Sequence, residues 1–199
     1  MTVAEQNQTQ LNPPYGGELV NLVKTGEERA ALLKLAAELP DVRISPRALH
    51  DLELLATGAF SPLDRFMGEA DYRGVLDDMR LADGTLFPIP ITLTVDRDEL
   101  PKDAKQVVLR DVRNNTFAIM DLEEVYDWDP KEEAQKVLGT TDARHPLVSE
   151  MIRWGDVCIS GRLQVVDLPS YSDFVQLRRT PAEVRELLGA MGHEKVVAF

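Results

Sequence analysis

The feature that most constrains the fold is a capped, leucine-rich helix signal at residues 45–58. Ser45 and Pro46 open it, because a serine hydroxyl accepts a backbone N–H and proline at the first helical position lacks a donor that has no partner anyway. Gly58 supplies the left-handed stop. At about 100° per residue, five apolar side chains fall within an arc of about 120°, typical of a core-facing stripe. They are Ala48, Leu49, Leu52, Leu55 and Ala56. The segment predicts an amphipathic core helix with Leu54 on its opposite, polar side.

A second capped turn is predicted directly after this helix. Ser61 and Pro62 repeat the serine–proline start, and Asp64 stands where it can reach back to the cap. Phe60 and Phe66 flank the turn, and we expect both rings to anchor it.

Length and cysteine content bound the class of protein. The 199 residues suit one domain, or one domain with part of another. The single cysteine, Cys158, excludes an internal disulfide and fits a reducing cytosol, so we expect a cytoplasmic protein. The polar start of the chain resembles no signal peptide, and no apolar run approaches the roughly 20 residues of a membrane helix. We expect no membrane partner.

Charge argues against nucleic acid as a partner. The chain carries 34 acidic and 22 basic side chains, a formal charge of −12. Affinity for polyanions comes from cationic contacts with phosphates, and the 6% aromatic content is low for a base-stacking surface.

Further along the chain, the patterns predict an α+β fold. Helices are expected at residues 25–39, where Thr25 and Glu28 resemble a capping box, and at residues 69–79 and 130–139. Apolar residues at Leu32, Leu35, Ala36 and Leu39 form the stripe of the first of these helices, which Pro40 ends.

Strands are expected in the second half of the chain. They fall at residues 86–95, 107–110, 116–122 and 156–168, and the last is either a strand pair or one strand with a bulge at Gly161. Pro88 and Pro90 remove N–H groups that face the same neighbour, which favours an edge strand or an incompletely closed barrel.

The carboxyl-terminal stretch predicts the beginning of another domain. Thr180, Pro181 and Glu183 form a strong capping-box pattern, and Gly192 closes the helix. The apolar residues 196–199 then resemble the start of a buried parallel strand. We therefore expect three parts: an extended segment at 1–24, a β-rich domain at 25–170, and at 171–199 a connector with the first helix and strand of an α/β domain that continues beyond Phe199.

No constellation in the sequence predicts an active site. His50, His145 and His193 are far apart and have no ligand spacing. Cys158 lies in an apolar strand context, where a small buried side chain is expected. Adjacent acids are expected to be solvated rather than catalytic. They are Asp77 and Asp78, Glu123 and Glu124, and Asp127 and Asp129. The glycines form no phosphate-binding loop. We predict no catalytic, cofactor-binding or metal-binding residue.

Two further pairs admit structural interpretations. Arg178 and Arg179 suit either local capping and salt bridges or contact across a domain junction, and the sequence leaves both open. Trp128 and Trp154 are expected to be packing anchors.

Residues 48–95, ALHDLELLATGAFSPLDRFMGEADYRGVLDDMRLADGTLFPIPITLTV, resemble the amino-terminal half of the sulfate adenylyltransferase (ATP sulfurylase) family. The likeness continues in LRD at 109–111, HPLV at 145–148, LRRTP at 177–181 and VVAF at 196–199. The resemblance implies a PUA-like, β-rich pseudobarrel with helices at its amino end, followed by an α/β nucleotide-binding domain.

The same resemblance implies a reaction for the full enzyme, in which sulfate attacks the α-phosphorus of ATP to give adenosine 5′-phosphosulfate and pyrophosphate. Mg-ATP, sulfate, the chain's own catalytic domain and further copies of the chain are the implied partners. The family's catalytic loop follows the position of Phe199, so the resemblance transfers no catalytic residue, and this chain alone is expected to be inactive. A stand-alone PUA-like module that binds RNA or protein is the alternative.

Overall fold

The computed structural model describes residues 11–192 and 196–197. Within them, five strands and six α-helices confirm the α+β class. The strands are β1 (Asp41–Arg43), β2 (Leu93–Val95), β3 (Gln106–Arg110), β4 (Thr116–Asp127) and β5 (Val157–Val165). The helices are α1 (Gly26–Leu35), α2 (Pro46–Thr57), α3 (Glu69–Asp78), α4 (Pro130–Glu133), α5 (Pro146–Met151) and α6 (Pro181–Met191).

All five strands form one sheet, in the order β1-β3-β4-β5-β2, that curls into a half-barrel. β1 is parallel to β3, and the other neighbours are antiparallel. The edge position expected from Pro88 and Pro90 is confirmed, because β2 ends the sheet. The predicted strand at 86–95 was too long, since only Leu93–Val95 pairs with β5. The prolines before it lack the N–H groups that a longer ladder requires.

The pairing of β4 with β5 decides whether Gly161 separates two strands or lies within one. β5 runs unbroken through this glycine, and the irregularity lies opposite, between Leu122 and Glu124 of β4. A Cβ at Gly161 would lie 1.7 Å from the Asp121 carbonyl oxygen. The prediction of one strand is right, but the bulge falls on its partner, and only glycine fits beneath that carbonyl.

Helix α2 follows its sequence signals closely. The Ser45 hydroxyl accepts the Ala48 N–H at 3.1 Å, and Gly58 ends the helix at a φ of 84°. Leu52, Leu55 and Ala56 are fully buried, and together with Ala48 they carry the face that packs into the main core. Leu49 is partly buried.

The predicted capped turn at Ser61 is wrong. The Ser61 hydroxyl is buried and donates to the Gly58 carbonyl at 2.7 Å, while it accepts the Val20 N–H at 3.1 Å. The hydroxyl therefore links Gly58, at the end of α2, to Val20 of the amino-terminal segment, and it does not cap a new helix. The expected anchoring by Phe66 is confirmed by its complete burial, and partly buried Phe60 packs edge-on against a neighbouring aromatic ring.

Helix α1 forms, but not through a capping box, because the Thr25 side chain makes no cap hydrogen bond. Leu32 and Ala36 of its predicted stripe are buried, whereas Leu35 is exposed. These two buried residues cover a small second core on the other side of the sheet, formed with Val108, Ile119 and Val166.

The remaining helices divide into predicted and unpredicted ones. α3 agrees with its pattern, and α4 continues as a π-helical turn, Ala134–Leu138, to a left-handed Gly139. Strand β1 and helix α5 had no prediction. α6 has the complete Thr180–Glu183 capping box.

Three predictions fall at the chain ends. Residues 1–10 of the expected extended segment, as well as His193, lie outside the described residues. Ala198 and Phe199 of the expected last strand also lie outside them, and Val196 and Val197 are described without strand pairing. Within the part of the chain that the structure describes, no helix is long and apolar enough to cross a bilayer.

Candidate functional site between helices α2 and α6

A cleft of about 810 Å³ separates the outer face of α2 from the connector and the start of α6. The segment that precedes α1 closes one side of it. Apolar side chains dominate the walls, with a few charged groups among them. The principal lining residues are Pro14, Tyr15, Leu19, Glu53, Leu54, Leu168, Tyr171, Arg178, Arg179, Pro181, Glu183, Val184 and Arg185. Its size and mixed lining are typical of small-molecule sites.

The connector is held to α2 through Tyr171. Its hydroxyl donates to the Glu53 carboxylate, and the Arg178 guanidinium lies 3.7 Å from the centre of its ring. Desolvation, followed by the adjacent Glu53 carboxylate, raises the pKa of Tyr171 to about 12. The phenol therefore stays protonated at neutral pH and keeps donating to Glu53.

The basic pair from the sequence analysis lies at this cleft. Arg178 forms an ion pair with Asp173 at 2.9 Å, which confirms the salt-bridge interpretation for this residue. Arg179 donates to the Arg178 carbonyl at 2.7 Å and lines the cleft. Leu54, on the outer side of α2, is 37% exposed and forms part of the same wall.

The amino-terminal segment forms the opposite wall and is firmly held. The Tyr15 hydroxyl donates to the Leu86 carbonyl at 2.6 Å, and the Leu22 N–H donates to the carbonyl of Ala56 at 2.9 Å. On the α6 side, Arg185 donates to the Asn12 carbonyl at 2.8 Å. These hydrogen bonds join the segment to both α2 and α6.

His50, His145 and Cys158 lie at separate places in the fold. His50 is exposed on α2, and His145 precedes α5. Among the described residues, no group of three or more histidine, cysteine, aspartate or glutamate side chains could hold a metal ion. Cys158 is fully buried, as predicted, and burial raises the pKa of its thiol to about 12.

The acid pairs are not brought around a common point, because five of the six acids have separate partners. Asp77 pairs with Lys136 at 2.6 Å, and Glu123 pairs with Arg65 at 2.6 Å. Glu124 accepts the Glu69 N–H, Asp127 pairs with Arg97, and Asp129 caps α4. The hydrogen bond and charge of Lys136 lower the pKa of Asp77, so that carboxylate is held as a surface anion.

The sequence did not indicate that two tryptophans and an acidic side chain form a buried cluster. Trp128 and Trp154 stack with ring centres 5.9 Å apart, which agrees with their expected anchoring role. The Trp128 indole N–H donates to the Glu133 carboxylate at 2.6 Å, and desolvation raises the pKa of this buried acid. In the sequence, Glu133 is an ordinary first-turn acid, so nothing there indicated burial.

The fold and its curled sheet define the class of protein. A family model described as a PUA-like domain matches residues 12–168, and the chain belongs to this family. The chain is 42% identical over 195 residues to a protein named sulfate adenylyltransferase from Mycosarcoma maydis, with 94% of this chain and 34% of the relative covered. It is 39% identical over 189 residues to a protein of the same name from Halothermothrix orenii, with 94% and 49% covered.

A solved structure gives a similar relation. The chain resembles one titled hexameric APS kinase from Thiobacillus denitrificans, with a TM-score of 0.70 and 34% identity. The match covers 92% of this chain and 32% of that one. The chain therefore spans less than half of the length of each of these three proteins.

Proposed function

We propose that this chain serves a sulfate adenylyltransferase as its amino-terminal PUA-like domain, at 25–170, joined to the start of the catalytic domain at 171–199. The observation that carries the proposal is identity of 39–42% across 94% of the chain to two proteins of that name. The whole enzyme converts ATP and sulfate into adenosine 5′-phosphosulfate and pyrophosphate, with Mg-ATP and sulfate as its substrates.

The role of this chain in that enzyme is structural and inter-domain. The uncovered face of α6 supports this assignment, because Val184, Leu187 and Met191 are 40–58% exposed on a fully capped amphipathic helix. Such a face is stabilised when another apolar surface covers it. The chain alone is inactive in this proposal, since phosphoryl chemistry needs cations and donors arranged around the phosphates.

Assembly and location complete the proposal. A homo-oligomer is supported by the similar structure whose title describes a hexamer. A cytoplasmic location is supported by the single buried, unpaired cysteine.

The test is a chimera in which this chain replaces the matching region of the Halothermothrix orenii relative. We expect sulfate-dependent ATP–pyrophosphate exchange from the chimera and none from the 199-residue chain. A folded chimera without exchange would contradict the proposal. Submicromolar, salt-sensitive RNA binding by the chain alone would favour the stand-alone module instead.

A matched pair of substitutions tests the α6 surface. Leu187→Asp is expected to lower exchange in the chimera but to leave the melting temperature of the isolated chain unchanged. Val112→Asp places the same charge at an exposed apolar position in the β3–β4 connection and is expected to leave exchange unchanged. Equal effects of the two substitutions on exchange would contradict an inter-domain role for α6.

A further inference from the structure

The cleft between α2 and α6 has an aromatic wall that is held in place but largely uncovered. The Tyr15 side chain is 54% exposed, although its hydroxyl is bonded to the Leu86 carbonyl and its backbone forms a closed turn from Pro14 to Gly17. Leu54 and Val184 line the same cleft. A rigid ring beside aliphatic walls favours a flat apolar group as the occupant.

The cations of the cleft are also held in place with donors to spare. Arg185 donates to the Asn12 carbonyl, and Arg179 donates to the Arg178 carbonyl. Within residues 11–192 and 196–197, neither guanidinium forms an ion pair. Each guanidinium has five N–H donors in a planar fork, so one carbonyl contact leaves most of them for an acid group.

The two acids that line the cleft already accept hydrogen bonds from its walls. Glu53 accepts the Tyr171 hydroxyl, and Glu183 accepts the backbone N–H of Thr180 at 2.7 Å as part of the capping box. The third cation, Arg178, is balanced by Asp173. Arg179 and Arg185 are therefore the cations of the cleft whose guanidinium N–H donors have no carboxylate partner within the described residues.

We propose that this cleft binds a small organic anion, in which a flat apolar ring packs on Tyr15 and an acid group accepts from Arg179 and Arg185. Because α2, the amino-terminal segment and α6 all contribute, the bound anion joins the PUA-like body to the helix that follows the connector. The proposal rests on the lining of this cleft and not on the proposed function.

The proposal is tested on the 199-residue chain by titration with 1-naphthoate, followed by ¹H–¹⁵N correlation spectra. We expect saturable shifts that centre on the amides of Gly58, Ala59 and Arg185. The uncharged 1-naphthalenemethanol is expected to bind the same amides about tenfold more weakly, which is the effect of losing charge-assisted hydrogen bonds. Acetate alone is expected to give no saturable shift there.

Substitutions separate the two halves of the site. Arg179→Gln combined with Arg185→Gln is expected to bring naphthoate to the affinity of the alcohol, while Tyr15→Ala weakens both probes. Arg113→Gln, an exposed arginine in the β3–β4 connection, is the matched control and is expected to change neither affinity. The spectra themselves report whether each variant is folded.

Three results would overturn the proposal. They are equal affinities for the acid and the alcohol, shifts that saturate away from the cleft, and undiminished naphthoate binding by the double arginine variant.

Discussion

Helices α2 and α6 share the same local design but differ in burial. Each follows a Ser or Thr cap with proline and ends at a left-handed glycine, and in both the cap hydroxyl accepts a backbone N–H. Leu52 and Leu55 of α2 are at most 1% exposed. No residue of α6 is buried, and its Leu187 is 45% exposed.

The difference shows that capping and periodicity determine whether a helix forms, whereas its burial depends on a partner surface. The main hydrophobic core, to which the curled sheet contributes, supplies that surface to α2. In α6, by contrast, Val184, Leu187 and Met191 are 40–58% exposed, so most of its apolar stripe faces solvent. The following predictions test whether the two helices differ in energy as they do in burial.

The largest expected effect is on the buried stripe. Leu52→Ala is expected to lower the free energy of unfolding by about 2–5 kcal/mol, because it removes buried methyl groups and leaves a cavity. Leu187→Ala is expected to change it by less than about 0.5 kcal/mol. Urea unfolding followed by circular dichroism measures both. A loss below about 1 kcal/mol at Leu52 would contradict the assignment of α2 to the core.

Glycine-to-alanine substitutions are expected to change stability in opposite directions in β5 and in α6. Gly161→Ala forces a Cβ against the Asp121 carbonyl, and we expect a loss of about 1–3 kcal/mol in urea unfolding. Gly189 of α6 has open space at its Cβ position, and alanine there is expected to stabilise the helix by about 0.5–1 kcal/mol. Hydrogen exchange of the α6 amides measures the latter. Destabilisation of α6 by Gly189→Ala would show that its surface is covered.

Removing the caps separates global from local stability. Ser45→Ala is expected to cost about 1 kcal/mol of global stability, because α2 unfolds with the core. Thr180→Ala is expected to speed exchange of the first α6 amides without a change in the urea midpoint. A shifted midpoint for Thr180→Ala would indicate that α6 unfolds together with the body.

The smallest expected effects are changes in stability with pH. Desolvation raises the pKa of Glu133 in the folded body, so its contribution to stability is complete below its unfolded pKa and is lost as pH rises through the folded value. Hydrogen bonds from Thr180 lower the pKa of Glu183, so its contribution to α6 is present above the unfolded pKa and is lost as pH falls through the folded one.

Two isosteric variants measure these opposite signs. Glu133→Gln is expected to be more favourable relative to the parent chain at pH 8 than at pH 4 in urea unfolding. Glu183→Gln is expected to speed α6 amide exchange at pH 7, and this difference is expected to diminish on acidification. The same pH trend in both variants would contradict the assigned environments.

Much of the fold was predictable wherever local chemistry and periodicity agreed. The β3–β4 pair, the caps of α2 and α6, and the edge position of β2 follow from turn residues, N-caps and prolines that act over a few positions. The resemblance to sulfate adenylyltransferases agrees with the named relatives, although the match covers less than half of each of them.

The missed features depend on distant partners. β1 has only three residues, and its parallel pairing of Val42 with Leu109 is long-range. The hydroxyl of Ser61 is drawn from a local cap to Val20 and Gly58. The cleft could not be predicted from the sequence either, because Tyr15, Glu53 and Arg185 are far apart in it. Each of these residues has a common surface role when considered alone.

The sequence by itself determined where α2 and α6 begin and end, the α+β class and the likeness to a family, since these depend on contacts within a turn or on the period of apolar residues. Only the tertiary structure decided which apolar faces are covered, where the β-bulge lies, and that Arg179 and Arg185 share a cleft with Tyr15. The physical reason is that burial and convergent charge are properties of pairs of surfaces, and the chain must fold before those surfaces meet.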